Sequence, residues 1–223
     1  MKKLKGILIL SFIVTIGQVC GQGIEIEVLA RPALTSLRGN DVVKKNLDPV
    51  IKFSTGLGVN YFLNDKSLLS LGIFYDRKGG RGKDEFFIST GPNPPDGTES
   101  VVVTNTVNFD YITIPIQWGQ RFGQKIKYQF GIGVYTSLLL KCQVVTEGLT
   151  TERDDNTDTI KKLDVGLSAS FNMLIPITKV VSVKAGIDDN YGLINVSDVP
   201  VYEDGTIKHN SLGLSAGLNI RLK

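Results

Sequence analysis

Strict alternation of apolar with small or polar residues, held over unusually long segments, constrains this chain more than any other feature. From Lys125 to Leu140, Ile126, Tyr128, Phe130, Ile132 and Val134 alternate with Lys127, Gln129, Gly131, Gly133 and Tyr135. From Leu163 to Ile175, Leu163, Val165, Leu167, Ala169, Phe171, Met173 and Ile175 alternate with Asp164, Gly166, Ser168, Ser170 and Asn172. The same period of two runs through 51–62, 181–191 and 211–222. Successive side chains of a β-strand point to opposite faces, so each segment reads as a two-faced strand. Segments 24–31, 68–77 and 107–118 complete a set of eight, mostly of nine residues or more. Strands of soluble proteins centre on roughly 5–6 residues, whereas a tilted strand crossing a bilayer needs about 9–11.

The connections point the same way. Leu63–Ser67, Gly119–Gln124 and Pro176–Thr178 are short. Pro32–Val50, Lys78–Thr106, Val144–Lys162 and Gly192–His209 are long, and the two kinds alternate strictly. An up-and-down membrane barrel with short periplasmic turns and long outer loops has this asymmetry. Hydrocarbon offers no partner to backbone N–H and C=O groups, so only helices or closed barrels cross it. No downstream window is apolar enough for a membrane helix. The expected fold is therefore all-β: an eight-stranded antiparallel up-and-down transmembrane β-barrel without helices, both termini in the periplasm. Its inward set is Gly, Ser, Asn and Gln with Lys52, Lys127, Asp164, Lys184, Asp188 and Arg221. Charges of both signs predict a lumen filled by ion pairs and hydrogen bonds rather than an open pore, since eight strands leave room for side chains and little else.

Residues 1–22 read as a secretory signal, leaving 23–223 as the barrel domain. A basic start, Met1-Lys-Lys-Leu-Lys5, precedes an apolar run from Gly6 to Gly17 that is too short to span a bilayer. Val19 stands where a small residue is wanted before a lipidated cysteine, which argues against a lipid anchor at Cys20. Three of the 25 basic residues lie in this acid-free segment, and the remainder balances 22 acids. A near-neutral mature chain lacks the cationic face that nucleic acid requires. Cys142 would be the one mature cysteine, so no internal disulfide is expected.

The segment Leu71-Gly-Ile-Phe-Tyr-Asp-Arg-Lys-Gly-Gly-Arg-Gly-Lys83 turns from alternation to a basic, glycine-rich tail. A phosphate loop would need Gly-Lys followed by Ser or Thr and a helix. Here Asp84 follows, and the prolines of Gly91–Gly97 forbid a helix. The better reading is the rim where a strand leaves the bilayer. There Arg77, Lys78, Arg81 and Lys83 meet headgroups, lipopolysaccharide among them, or form a solvated loop base. His209, the sole histidine, reads as a loop or rim residue, although Ser211 with Asp198 or Asp204 lies near it in sequence. One histidine and one mature cysteine make a zinc site implausible. The acids between Glu147 and Lys162 lack the glycine and distal glutamate of a calcium loop. No cofactor is expected. Tyr61, Phe62, Trp118, Phe122 and Tyr128 near the short turns, and Tyr75, Tyr111, Tyr135 and Tyr191 toward the long loops, are candidates for two aromatic girdles.

Four segments carry a family resemblance: Phe74-Tyr-Asp-Arg-Lys-Gly79, Tyr111-Ile-Thr-Ile-Pro-Ile116, Tyr128-Gln-Phe-Gly-Ile-Gly-Val-Tyr135 and Asp164-Val-Gly-Leu167. Through them the chain resembles the small outer-membrane β-barrel family of Gram-negative bacteria that includes the PorT-like proteins. It departs at Thr113, where the family commonly has an acid, and at its end, Ile220-Arg-Leu-Lys223, which lacks a terminal aromatic. The resemblance implies an integral outer-membrane protein, reached through the secretion and barrel-insertion machinery, with no assigned reaction. The expected function is a non-enzymatic structural or surface-interaction role. A protein partner would be met at the longest loop, Lys78–Thr106. The alternatives are an accessory part of a protein-secretion machine and a soluble lipocalin-like ligand-binding barrel.

Overall fold

The computed structural model describes residues 23–89, 98–148, 150–201 and 204–222. The signal-like segment and the Gly91–Gly97 stretch lie outside them. Nine strands run antiparallel: β1 (Ile24–Arg38), β2 (Val50–Phe62), β3 (Ser67–Ser89), β4 (Thr98–Phe122), β5 (Lys127–Glu147), β6 (Thr151–Asp155), β7 (Leu163–Pro176), β8 (Val181–Gly192) and β9 (Lys208–Arg221). Hydrogen bonding orders them β4-β3-β2-β1-β9-β8-β7-β5, and the β4–β5 pairing closes these eight into a ring. β6 pairs with the upper part of β5, outside that ring. The start of β1, the end of β9 and the three short turns share one end, the periplasmic one.

The turns carry their own chemistry. The Asn64 side chain accepts from the amides of Lys66 (3.0 Å) and Ser67 (2.7 Å), closing β2 onto β3. Thr178 Oγ1 accepts from Val180 (3.2 Å) and Val181 (3.0 Å) between β7 and β8. Gly123, at φ 99°, supplies the left-handed residue that turns β4 into β5.

Alternation is realised as predicted by the facing of the sheet. Val134, Leu167, Ile132, Leu71 and Leu214 stand exposed on the outer wall, while Asn172, Ser137 and Gln129 are buried inside. This facing overturns the lipocalin-like alternative. A soluble barrel would hide its large aliphatic residues, whereas here they cover the outside and carboxylates and ammoniums line the inside.

Two expectations are corrected. The chain is not helix-free: a six-residue helix, α1 (Asp41–Asn46), lies between β1 and β2, and the Asn40 side chain caps it by accepting from Val43 N at 3.1 Å. Nor is Lys78–Thr106 mainly loop. β3 keeps pairing with β4 up to Ser89↔Thr98, long after β2 has left β3 at Ser54↔Asp76. β5 and β6 follow, from Gln143↔Asp155 to Glu147↔Thr151. At about 3.3 Å per residue, the roughly ten extra residues of β3 and β4 run about 30 Å along the strands beyond the barrel; β5 and β6 accompany them over residues 79–83, and 84–89 continue with 98–103 as a two-stranded ribbon.

The facing predicts a depth-dependent cost on the outer wall. Val134 sits at mid-strand between Ile116 and Leu167 of its neighbours. Val134→Arg should lower the stability of the bilayer-inserted barrel by about 2–4 kcal/mol, measured by urea unfolding in vesicles.

Candidate functional site: a filled lumen, a capped mouth and a basic belt

Inward residues stack in levels, three of which hold an ion pair. At the periplasmic end the Glu25 carboxylate lies 2.7 Å from Arg121 Nη1 and accepts from Arg221 Nε (3.1 Å) and Nη2 (3.0 Å). Above it, Lys184 Nζ donates to Glu27 Oε2 at 2.7 Å, while Asn60 (2.6 Å) and Asn219 (3.1 Å) donate to Oε1. In the middle, Arg31 lies 3.9 Å over the Phe74 ring, and Asp188 lines the same small void of about 10 Å³. At the top, Asp164 Oδ2 accepts from Lys78 Nζ (3.0 Å) and the Tyr135 hydroxyl (3.2 Å) and faces His209 Nδ1 at 3.2 Å. Lys78 and Asp164 are both wholly buried. A bare charge in a low-dielectric interior costs several kcal/mol, so each needs its counter-charge and its hydrogen bonds.

Above this level the mouth is sealed by an apolar cap. Leu37, Val43, Phe109, Tyr111, Leu139 and Cys142 pack together, with Ile160, Val201 and Ile207 of the outer loops against them. Two of these loops are tied to each other: Lys161 N donates to Val196 O (2.8 Å) and Asp198 N to Thr159 O (2.9 Å). The His209 ring meets Phe109 and Tyr111 edge-on, with centroids 4.7 and 5.4 Å away. Two interior voids, of about 40 and about 10 Å³, are of water size.

The outer wall carries a basic belt at its upper edge. Arg77 grips Asp110 with both arms of its guanidinium (2.6 and 3.2 Å) and donates to the Tyr75 hydroxyl at 3.1 Å. Arg81 reaches Thr106 Oγ1 at 3.4 Å, and Lys83 is exposed above it. Across the ring, Arg38 lies 3.6 Å over the Tyr191 ring.

The predicted site residues therefore divide differently from the sequence reading. Asp164, Lys184, Asp188, Lys127 and Arg221 are on the inward side, and Arg77, Arg81 and Lys83 are outside. Lys78 is corrected from rim to lumen. β3 does not end at Arg77, and continued alternation puts Lys78 on the face of Phe74 and Asp76. Lys52 is displaced the other way. It opposes Ala33 in the ladder, yet its ammonium donates to Asn108 Oδ1 and stands among Arg77, Arg81 and Asp110. The missing Cβ of Gly79 makes room for this, since one would lie 3.2 Å from Lys52 Cε. His209 is corrected from a loop or rim residue to a buried one on β9; its carboxylate partner is Asp164, not Asp198 or Asp204. Tyr111 and Tyr135 leave the girdle for the lumen, as does Phe62, which lies under Arg121 at 4.6 Å. The sequence reading missed Glu25, Glu27 and Arg31. Their signal was present in Ile24-Glu-Ile-Glu-Val-Leu-Ala-Arg31, where Glu25, Glu27 and Arg31 share one face.

Residues 23–198 match the family model described as the outer membrane protein beta-barrel domain. The chain belongs to that family. It is an outer-membrane barrel, and the matched span ends before β9, the strand that completes the ring. Solved structures similar to this family member match it at low identity. Neisserial surface protein A is 18% identical, with a TM-score of 0.47 over 89% of this chain and 97% of that one. The N-terminal β-barrel domain of Pseudomonas aeruginosa OprF is 15% identical, with a TM-score of 0.41 over 89% and 97%. Ail of Yersinia pestis, solved with the heparin analogue sucrose octasulfate, is 11% identical, with a TM-score of 0.40 over 89% and 99%. No curated protein matches the chain.

The Glu27–Lys184 level gives a test of the lumen. Lys184→Met strands a buried carboxylate and should cost about 3–5 kcal/mol, while adding Glu27→Gln should recover most of that loss. Unfolding of the two variants in vesicles decides it; equal losses would mean the pair is not coupled.

Proposed function

We propose that this outer-membrane barrel is a non-enzymatic surface-interaction protein and that the sheet projecting from β3, β4, β5 and β6 is its contact. The observation that carries this reading is the free edge at β6. All five of its residues are exposed, and it ends the order of paired strands. An unpaired edge offers a row of N–H and C=O groups to an incoming strand, and strand addition is a common mode of peptide capture. The sheet also has apolar surface to cover. Phe86, Val101 and Val103 border a shallow hollow of about 290 Å³, with Thr146 and Glu152 on the β5–β6 side. Asp84, Glu85, Glu147, Glu152, Asp154 and Asp155 make it acidic, so the fitting segment is extended and basic.

The sealed lumen supports the non-enzymatic part. His209 and Asp164 are the histidine–acid pair in the barrel, and both lie buried beneath the cap. In the same reading Arg77, Arg81 and Lys83 meet the anionic headgroups of lipopolysaccharide, and residues 1–22 act as the export signal.

A photoreactive side chain placed at Glu152 in intact cells should yield a discrete protein adduct. The same group at lipid-facing Ile187 should not. Arg153→Pro removes a donor from the β6 edge and should abolish the adduct while the barrel keeps its gel shift on boiling. The reading fails if Glu152 gives no adduct, or one indifferent to the proline.

A further inference from the structure

The periplasmic mouth of the barrel holds an excess of inward-facing cations that its own acids do not neutralise. Glu25 is buried between Arg121 and Arg221 and is shared by both. Arg121 is itself buried, and donates to Gln129 Oε1 at 3.1 and 2.6 Å. Lys127 is a third cation on the same inward side, next to both arginines, so that their charges repel its own, while Glu25, already shared by the two arginines, attracts it. Its ammonium has no hydrogen bond or ion pair among the described residues. The three open into a bowl of about 880 Å³ that faces the periplasm, with Lys66 and Asp65 on its rim. An adjoining hollow of about 70 Å³ lies between Lys127, Arg221 and Lys179.

One carboxylate against three cations, within walls of low dielectric, focuses a positive potential on the bowl. Headgroups that stay in the plane of the leaflet do not reach it, because Arg121, Lys127 and Arg221 point into the mouth and not at the surrounding lipid. An anion that enters gains charge-assisted hydrogen bonds from Lys127 and Lys179, and from the donors Arg221 has left over from Glu25. The walls otherwise offer Phe62 and Phe122, which suits an anionic group carried on a larger molecule.

We infer that the periplasmic bowl of Arg121, Lys127 and Arg221, with the adjoining hollow at Lys179, is a binding site for a phosphate-bearing ligand. Two sources share this chemistry: a soluble periplasmic phosphate compound, and the headgroup of an anionic phospholipid folded over the rim from the inner leaflet. The site is at the opposite end from the projecting sheet and stands independently of the role proposed for that sheet.

Pyrophosphate titrated calorimetrically into the full barrel, folded in zwitterionic detergent at low salt, should bind saturably at one site. Lys127→Gln should weaken it about tenfold, the scale of one lost charge-assisted contact. Lys179→Gln, on an exposed turn where folding is not at stake, should weaken it as well, and Lys127→Arg should retain it. Lys83→Gln, at the far end, should change nothing. Each variant is first checked for its gel shift on boiling. In vesicles, loss of pyrophosphate binding on adding phosphatidylglycerol to phosphatidylcholine would make the headgroup the source; unchanged binding would make it the soluble compound. Absence of saturable binding, full affinity in both Gln variants at this end, or equal weakening by Lys83→Gln would overturn the site.

Discussion

Hydrocarbon neither donates nor accepts a hydrogen bond, so every backbone amide of a lipid-facing strand must find its partner within the sheet. In this protein the condition is met by one contact between strands: β4 pairs with β5 from Thr104↔Glu147 to Phe122↔Tyr128 and removes the two edges the ring would otherwise have. Closure then dictates composition. A strand whose outer face must be apolar has only its other face for polar residues, and in a ring of eight that face lines a narrow interior. Gly131, Gly217 and Ser168 keep side chains short where the wall is tight. The longer Glu25, Arg31, Lys78 and Lys184 reach across the space and fill it.

The levels inside the ring follow from the cost of burying charge. Glu27 with Lys184, and Asp164 with Lys78, are pairs of nearly zero exposure; Asn60 and Asn219 donate to Glu27 Oε1 and Tyr135 donates to Asp164 Oδ2. Such pairs add little net stability over an apolar filling, but the loss of one partner is expensive. They fix which strand faces which, because slipping the register by one residue would turn every buried charge toward lipid. At the top the logic changes. Phe109 and Tyr111 face inward above the last ion pair and are covered by Val43, Val201 and Ile207. The outer loops are thus partly a lid, held down by apolar contact and by the Lys161–Val196 and Asp198–Thr159 hydrogen bonds.

What could be read from the sequence depended on the surroundings of each segment. Alternation reports a difference between two faces, one against lipid and one against the lumen. Where both exist, as along β7 and most of β5 and β9, the facing was legible; Tyr135 and His209, both gathered around the buried Asp164, were the exceptions. The upper halves of β3 and β4 stand beyond the membrane with both faces free of lipid. Arg81-Gly-Lys-Asp-Glu85 therefore shows no apolar period, and a strand reads as a loop. That single misplaced boundary also sent Lys78 to the wrong side of the wall. Lys52 failed for another reason: its Cα follows the alternation, but a long flexible side chain beside a glycine delivers its charge elsewhere. His209 was the least legible. It lies at the very start of β9, and its neighbours Phe109, Tyr111 and Asp164 are 45 or more residues away in sequence.

The two ends of the barrel differ in charge in a way that composition conceals. Acids gather on the projecting sheet, at Asp84, Glu85, Glu147, Glu152, Asp154 and Asp155. Bases gather at the periplasmic end, at Lys66, Arg121, Lys125, Lys127, Lys179 and Arg221. The near-neutral total conceals a local excess of acids on the projecting sheet, a basic belt at the outer rim beneath it and a local excess of bases at the periplasmic mouth, so neither end is itself neutral toward a partner. The membrane between them keeps the two fields apart, for the Debye length in physiological salt is about 8 Å and the hydrocarbon is about 30 Å thick. Ion pairs within the lumen neutralise one another level by level and add little to either field. Each end can thus be selected for its own ligand without altering the wall or the pairs that hold it closed, and the sealed lumen keeps occupation of one end from being transmitted as flow to the other.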